Sequence, residues 1–342
     1  MTQGLENFWY AVEHSHGLGN QPVSVTLLGR RYLLFRDQAG QAHALADYCA
    51  HRGASLAKGW LEGSCVRCPY HGWSYDVAGH CVRIPADPPG TPIPARARMA
   101  TFPLREQSGF VWIFPGEAGL AAGVPIPPFP ELDQPGWRAV SGEYRWNAHF
   151  SRVVESGLDT SHAPFVHKPF FGNREEASVE SLTINSEPGL VSTHHQLKPP
   201  ARVGLLKYIV KRKRSHSSST LTGYLPNVNR IALDFNWKGF QYIYFASNIP
   251  IDDNTTLTKW IGVRNFLPYR WADGNSIRNT VDTYEEDRAV VETQPQGPSW
   301  ATQGDELLLA SDQLILAYRR ALARACPATA AAPAADPAVT TP

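Results

Sequence analysis

Alternating apolar and polar positions set the reading of the N-terminal third. V-S-V-T-L-L at 23–28, R-Y-L-L-F-R at 31–36 and H-A-L-A at 43–46 are short runs parted by Gly29-Arg30 and by D-Q-A-G at 37–40. Period-two alternation with turn residues between the runs predicts antiparallel strands and tight turns. W-S-Y-D at 73–76, C-V-R-I-P at 81–85 and G-F-V-W-I-F at 109–114 extend the series, with V-A-G-H at 77–80 as a turn. The expectation is a small all-β domain over residues 7–115. Residues 116–137 crowd Pro and Gly too densely for a helix or a central strand, and predict a linker or covering loop.

The pattern changes after residue 138. A strand leads into a helix near 150–162, and runs at 181–185, 190–197, 230–237, 240–247 and 256–266 predict a large antiparallel sheet. Residues 276–294 and 305–325 read as helices. Together they make an α+β domain over 138–325, and the low-complexity tail at 326–342 is expected to be disordered. Phe235, Trp237, Phe240, Tyr242 and Tyr244 are aromatic enough to line a pocket, although half of such a strand faces away from it.

Composition narrows the class. With 342 residues, 43% hydrophobic, 18% charged and a net charge of +1, nothing calls for nucleic acid or a membrane surface as partner. The N-terminus lacks a basic region followed by an apolar core, and no apolar run approaches the roughly 18 residues a membrane span needs. A cytoplasmic protein is expected. K-R-K-R at Lys211–Arg214 is the one basic run, read as a solvated loop or as a docking patch for an acidic electron donor.

Five cysteines do not make a disulfide scaffold, but two of them pair with histidines. C-A-H at 49–51 and C-P-Y-H at 68–71 can present Cys49, His51, Cys68 and His71 from two facing loops. Zinc is one reading, since Cys65 and Cys68 form a C-x-x-C pair. A one-residue gap between Cys49 and His51 is awkward for a single tetrahedral ion. A [2Fe–2S] cluster with two thiolates on one iron and two imidazoles on the other suits that spacing better. Cys65, Cys81 and Cys326 are left as packing residues or, for Cys326, as an exposed tail thiol.

The words C-A-H-R-G at 49–53 and C-P-Y-H-G-W at 68–73 closely resemble the two cluster loops of Rieske non-haem iron oxygenases. The resemblance implies that Cys49 and Cys68 bind one iron and His51 and His71 the other, with Gly53 and Gly72 letting the backbone turn close to the cluster. It also implies the fold: an N-terminal all-β Rieske domain and a C-terminal helix-grip-like catalytic domain with a large antiparallel sheet.

A second stretch, E-S-G-L-D-T-S-H-A-P-F-V-H at 155–167, places His162 and His167 five apart, with Pro164 expected to end or kink the helix between them. Taken alone, they are a candidate metal pair or two capping histidines. The stretch is similar to the iron-binding segment of the same oxygenases, and E-E-D-R-A-V-V-E-T-Q at 285–294 is similar to the family's carboxylate helix. By that similarity His162, His167 and Asp287, with Glu286 as the fallback, hold a mononuclear Fe(II) as a two-His, one-carboxylate triad. Asp159 would bridge His162 to His71 of a neighbouring subunit, which implies a head-to-tail homotrimer. Ser156 stands where relatives usually carry Asn. The activity implied is a terminal oxygenase that hydroxylates or oxidatively demethylates a small organic substrate with O2, cis-dihydroxylation being the alternative. A bare Rieske electron carrier remains the rival reading. With no dinucleotide fingerprint in the chain, electrons from NAD(P)H must arrive through a separate ferredoxin or flavin reductase.

Overall fold

Two compact units divide the chain in the computed structural model, which describes residues 4–167, 174–179, 182–197, 217–235, 238–302 and 304–326. Lys211–Arg214, Trp237 and the tail from Pro327 lie outside the described residues. One unit comprises Glu6–Pro130 with Ile249–Asp252, and the other holds the remainder.

The N-terminal unit is built of short antiparallel strands. β1 (Tyr10–His14), β10 (Leu104–Gln107) and β11 (Phe110–Ile113) form one sheet, in the order β1-β11-β10. β2 (Val23–Leu27), β3 (Arg30–Arg36), β4 (Ala42–Ala46) and β9 (Thr101–Phe102) form the second. β5 (Trp60–Glu62), β6 (Cys65–Arg67), β7 (Ser74–Tyr75) and β8 (Cys81–Arg83) form the third. The alternation at 23–46 thus gave its strands nearly to the residue. The hairpin β5–β6 escaped prediction, because three-residue strands with one buried side chain, Val66, carry no period. Leu33, Phe35, Leu45, Val66, Tyr75 and Met99 pack a core that also encloses Cys49, Cys68 and Cys81.

The expected linker is more structured than its composition suggests. Residues Ala118–Gly123 and Pro130–Asp133 form 3-10 turns. Trp9 Nε1 donates to the carbonyls of Ala121 and Val124, each at 3.1 Å, and ties this stretch down. A 3-10 turn tolerates the Pro and Gly that an α-helix does not.

The second unit carries a seven-stranded sheet of β12 (Arg138–Trp146), β13 (Ile184–Glu187), β14 (Leu190–Gln196), β15 (Ser218–Tyr224), β16 (Val228–Asp234), β17 (Gln241–Asp252) and β18 (Thr255–Arg264), in the order β12-β18-β17-β16-β15-β14-β13. Alternate residues of β12, namely Val140, Tyr144 and Trp146, turn inward. Gly142 is required there: a Cβ would meet the Trp260 ring at 2.6 Å. Helix α1 (Phe150–Leu158) buries Phe150, Val153, Val154 and Leu158, each worth roughly 1.5–3 kcal/mol by area. Helix α2 (Ala163–Val166) follows after a break, α3 (Asp273–Val291) packs Tyr284 and Val291 against Tyr144 and Trp146, and α4 (Gln313–Ala325) closes the described chain. Arg319 on α4 reaches Glu155 on α1 at 2.7 Å and Glu306 at 2.8 Å, a buried ionic tie between the two helices.

Two expectations are corrected here. Pro164 does not end a helix: it sits in the first turn of α2, where its missing N–H costs nothing. Cys326 is no exposed thiol. It is buried at the end of α4 beside Gly4, on which a Cβ would touch it at 3.3 Å.

Candidate functional site

The loops after β4 and β6 share one geometry. Gly53 N donates to Cys49 O at 2.8 Å, and Gly72 N to Cys68 O at 3.0 Å. Cys49 N closes its loop on Ala54 O at 2.7 Å, and Cys68 N closes the other on Trp73 O at 2.8 Å. Both glycines have positive φ, 75° and 70°, the left-handed conformation that glycine adopts without strain. Cys49 and Cys68 are buried, whereas His51 and His71 are exposed with ring centroids 4.6 Å apart. His51 stacks flat on Trp73 at 4.7 Å, and Tyr70, itself exposed, lies 3.9 Å from His71.

This arrangement suits a two-iron cluster better than one ion. Among the described residues, only His162, His167 and Asp287 bring three ligand atoms within 4.8 Å of one another. The two thiols and two imidazoles are spread too widely to close around a single zinc, whose ligands stand about 2.0–2.3 Å from the metal. Burial pushes the Cys68 thiol up, and the backbone N–H groups of Tyr70 and His71, aimed at it, pull it back. Those N–H groups would stabilise a metal-bound thiolate. The sequence reading missed Tyr75, taken only as a strand residue. Its hydroxyl lies 3.1 Å from Cys49 Sγ and accepts from Ala50 N at 3.1 Å, so its own hydrogen is free for the sulfur. Burial, then Cys49, holds the Tyr75 phenol well above its ordinary pKa and keeps it a donor.

In the second unit, His162 N-caps α2 and His167 follows its last residue, so the short helix carries both imidazoles. Asp287 comes from α3. The three ligand atoms form a small triangle: His162 Nε2 to His167 Nε2 is 3.2 Å, and Asp287 Oδ1 stands 3.5 Å from each. Donors at about 2.1 Å from one ion, at angles between the octahedral and tetrahedral values, stand roughly 3.0–3.4 Å apart, so the triangle fits a metal. Asp287 Oδ1 is buried with no hydrogen-bond partner among the described residues.

The second ring nitrogens are spoken for. His162 Nδ1 lies 3.1 Å from the Asp159 carbonyl and His167 Nδ1 lies 3.1 Å from Glu286 Oε2. With Nδ1–H donated outward, both Nε2 lone pairs face Asp287. Burial lowers the His162 pKa, but the carboxylate of Asp287, 3.5 Å away, and then that of Asp159 outweigh it and hold it above the ordinary value.

Asp159 falls just outside α1, although a helix is predicted near 150–162. It caps the C-terminus of α1 in extended conformation, and its Oδ1 accepts from Ser161 N at 2.6 Å and Ser161 Oγ at 2.8 Å. Oδ2 is 3.9 Å from His162 Nδ1, so within the chain the carbonyl of Asp159 rather than its carboxylate orients that ring.

Two cavities meet at the triangle. One, of about 160 Å³, is walled by Trp146, Val153, Leu221, Ile231, Leu233 and other residues, with Ser156 at its edge. Of the aromatic residues singled out in the sequence, Tyr244 lines it, while Phe235 and Phe240 pack on Phe266 instead. The other cavity, of about 400 Å³, is bordered by Arg152, Glu155, Glu306 and Arg319 and shares Asp159, His162 and Asp287.

Comparison with known proteins gives the same two parts. Residues 8–103 match the Rieske [2Fe-2S] domain, and residues 146–328 match the vanillate O-demethylase oxygenase C-terminal domain. A 4beta-methylsterol monooxygenase of Methylococcus capsulatus is 38% identical over 173 residues, 49% of this chain and 46% of the relative. The chloroplastic chlorophyllide a oxygenase of Chlamydomonas reinhardtii is 35% identical over 176 residues, 50% of this chain and 26% of the relative. The matched stretch thus spans less than half the length of these two relatives. The structure of Pseudomonas putida CBB5 NdmA with caffeine superposes with a TM-score of 0.80 at 25% identity, covering 93% of this chain and 90% of that one. No helix among the described residues is long and apolar enough to cross a membrane.

Proposed function

Since the chain belongs to the Rieske oxygenases with a vanillate O-demethylase-type C-terminal domain, we propose that it is a terminal oxygenase acting on a small organic substrate by hydroxylation or oxidative demethylation. Cys49, Cys68, His51 and His71 would hold a [2Fe–2S] cluster, and His162, His167 and Asp287 a mononuclear Fe(II). When bound, the first group stores and passes single electrons and the second activates dioxygen for C–H oxidation. The observation that carries the reading is the triangle of 3.2, 3.5 and 3.5 Å at the end of a largely apolar cavity.

The chain's own residues do the positioning. Glu286 and the Asp159 carbonyl fix the two imidazoles, leaving one face of the triangle for substrate and gas. The apolar wall excludes water from the reacting carbon. Buried thiols with exposed imidazoles leave the histidine side of the cluster as the exit for electrons. Asp159, a quarter exposed, would accept from His71 of a neighbouring protomer in a homotrimer. A separate reductase would supply the electrons, and thiolate-bound iron suits a reducing, cytoplasmic setting.

The test is product formation with NADH, a surrogate reductase and a substrate panel read by mass spectrometry. Oxygen insertion or loss of a methyl group is expected with the native chain. Product formation undiminished in His162→Ala would contradict the proposal.

A further inference from the structure

The cavity beside the triangle carries two carboxylates and no lysine or arginine among its described lining residues. Asp159 and Asp287 are its charged groups apart from the histidines. An Fe(II) at the triangle would bring two positive charges against these two negative ones, so an anionic guest would find no net attraction. Several polar groups of the wall are engaged with one another. Asn248 Nδ2 donates to Asn229 Oδ1 at 2.7 Å, Thr258 Oγ1 donates to Asn248 Oδ1 at 2.7 Å, and Thr280 Oγ1 donates to the Tyr244 hydroxyl at 3.2 Å. Asn229 Nδ2 is held by the Val154 carbonyl at 3.1 Å.

One neutral lining group, away from the triangle, has a buried atom without a partner among the described residues. His195, on β14 where it pairs with Ser219 of β15, has a buried Nδ1 without a hydrogen-bond partner among the described residues. Burial, then the charge of His194, holds the ring below its ordinary pKa, so it is neutral. An unpaired buried polar group gains most from a guest that supplies its partner.

We propose that this cavity selects uncharged, largely apolar molecules with one hydrogen-bonding group set toward His195, and rejects aryl carboxylates and sulfonates. A carboxylate taken into it would lose its hydration with no lysine or arginine among the described lining residues to pair with, and with the charge of Fe(II) already matched by Asp159 and Asp287. The inference rests on the oxygenase reading only in calling the guest a substrate.

Three near-isosteric probes test it by calorimetry on the iron-loaded holoenzyme at neutral pH: 4-methoxyacetophenone, 4-methoxybenzoate and 4-isopropylanisole. The ketone is expected to bind on the order of a hundredfold more tightly than the carboxylate. His195→Leu is expected to weaken the ketone by about fivefold and leave 4-isopropylanisole, which shares the methoxy group but lacks the carbonyl, unchanged. A merely structural role for His195 would weaken both alike. Carboxylate binding as tight as the ketone's, no binding by either neutral probe, or equal loss of both neutral probes in His195→Leu would overturn the proposal. Iron content of the same preparation reports separately on the oxygenase reading, because a chain that lacks the third iron still yields a ratio between the probes.

Discussion

His167 Nδ1 lies 3.1 Å from Glu286 Oε2, while the neighbouring Asp287 turns its Oδ1 to the opposite nitrogen of the same ring at 3.5 Å. Adjacent carboxylates on α3 therefore have separate tasks. Glu286 orients an imidazole, and Asp287 would face the ion. Glu286→Ala is expected to lower mononuclear iron affinity by about 10–100-fold, and Asp287→Ala to abolish binding of that iron. Iron titration of cluster-loaded protein measures both. Loss of the third iron in Glu286→Ala with retention in Asp287→Ala would reverse the assignment.

The Tyr75 hydroxyl is positioned to donate to Cys49 Sγ at 3.1 Å. Donation to a cluster sulfur favours the reduced, more negative state. Tyr75→Phe is expected to lower the cluster's reduction potential by ~40 mV, which corresponds to about 1 kcal/mol for a one-electron step. Redox titration followed by visible absorbance reads the shift. An unchanged potential would show that the hydroxyl does not donate to the sulfur.

His149 caps α1 as a neutral acceptor: its Nδ1 receives Ser151 N at 3.2 Å. Burial first, then the Arg152 charge, depresses its pKa from 6.5 to about 3. A depressed folded pKa means that the unfolded chain takes up a proton the folded chain refuses. The stabilisation is present above about pH 6.5 and is lost at up to about 1.4 kcal/mol per pH unit as pH falls toward 3. His149→Asn keeps a capping oxygen and removes the titration. Unfolding free energy measured in denaturant between about pH 6 and pH 4 should depend less steeply on pH in the variant, by close to one proton. An unchanged slope would show that His149 is already protonated in the fold.

The candidate ligands were more legible in the chain than their surroundings. Cys49, His51, Cys68 and His71 stood out as candidates because metal ligation would fix both residue type and spacing. His162 and His167 were named, but Pro164 was misjudged: a proline that stops one helix can equally start the next, and only the break at Asp159 decides. Tyr75 acts through a partner distant in sequence and has no local signature, and Glu286 stood out only as the fallback ligand, not as the partner of His167. The cavity draws on residues from α1, β12, β14 to β17 and α3, and no period within one strand tells which aromatic side chain reaches it. Tyr244 does, while Phe235 and Phe240 turn to Phe266.

The account stands on two separate iron sites in one chain, and iron and acid-labile sulfide analysis tests that most directly. The native protein is predicted to hold three irons and two sulfides per chain, and His162→Ala two irons and two sulfides with the cluster's visible spectrum intact. Two irons in both proteins, or zinc without sulfide, would contradict it.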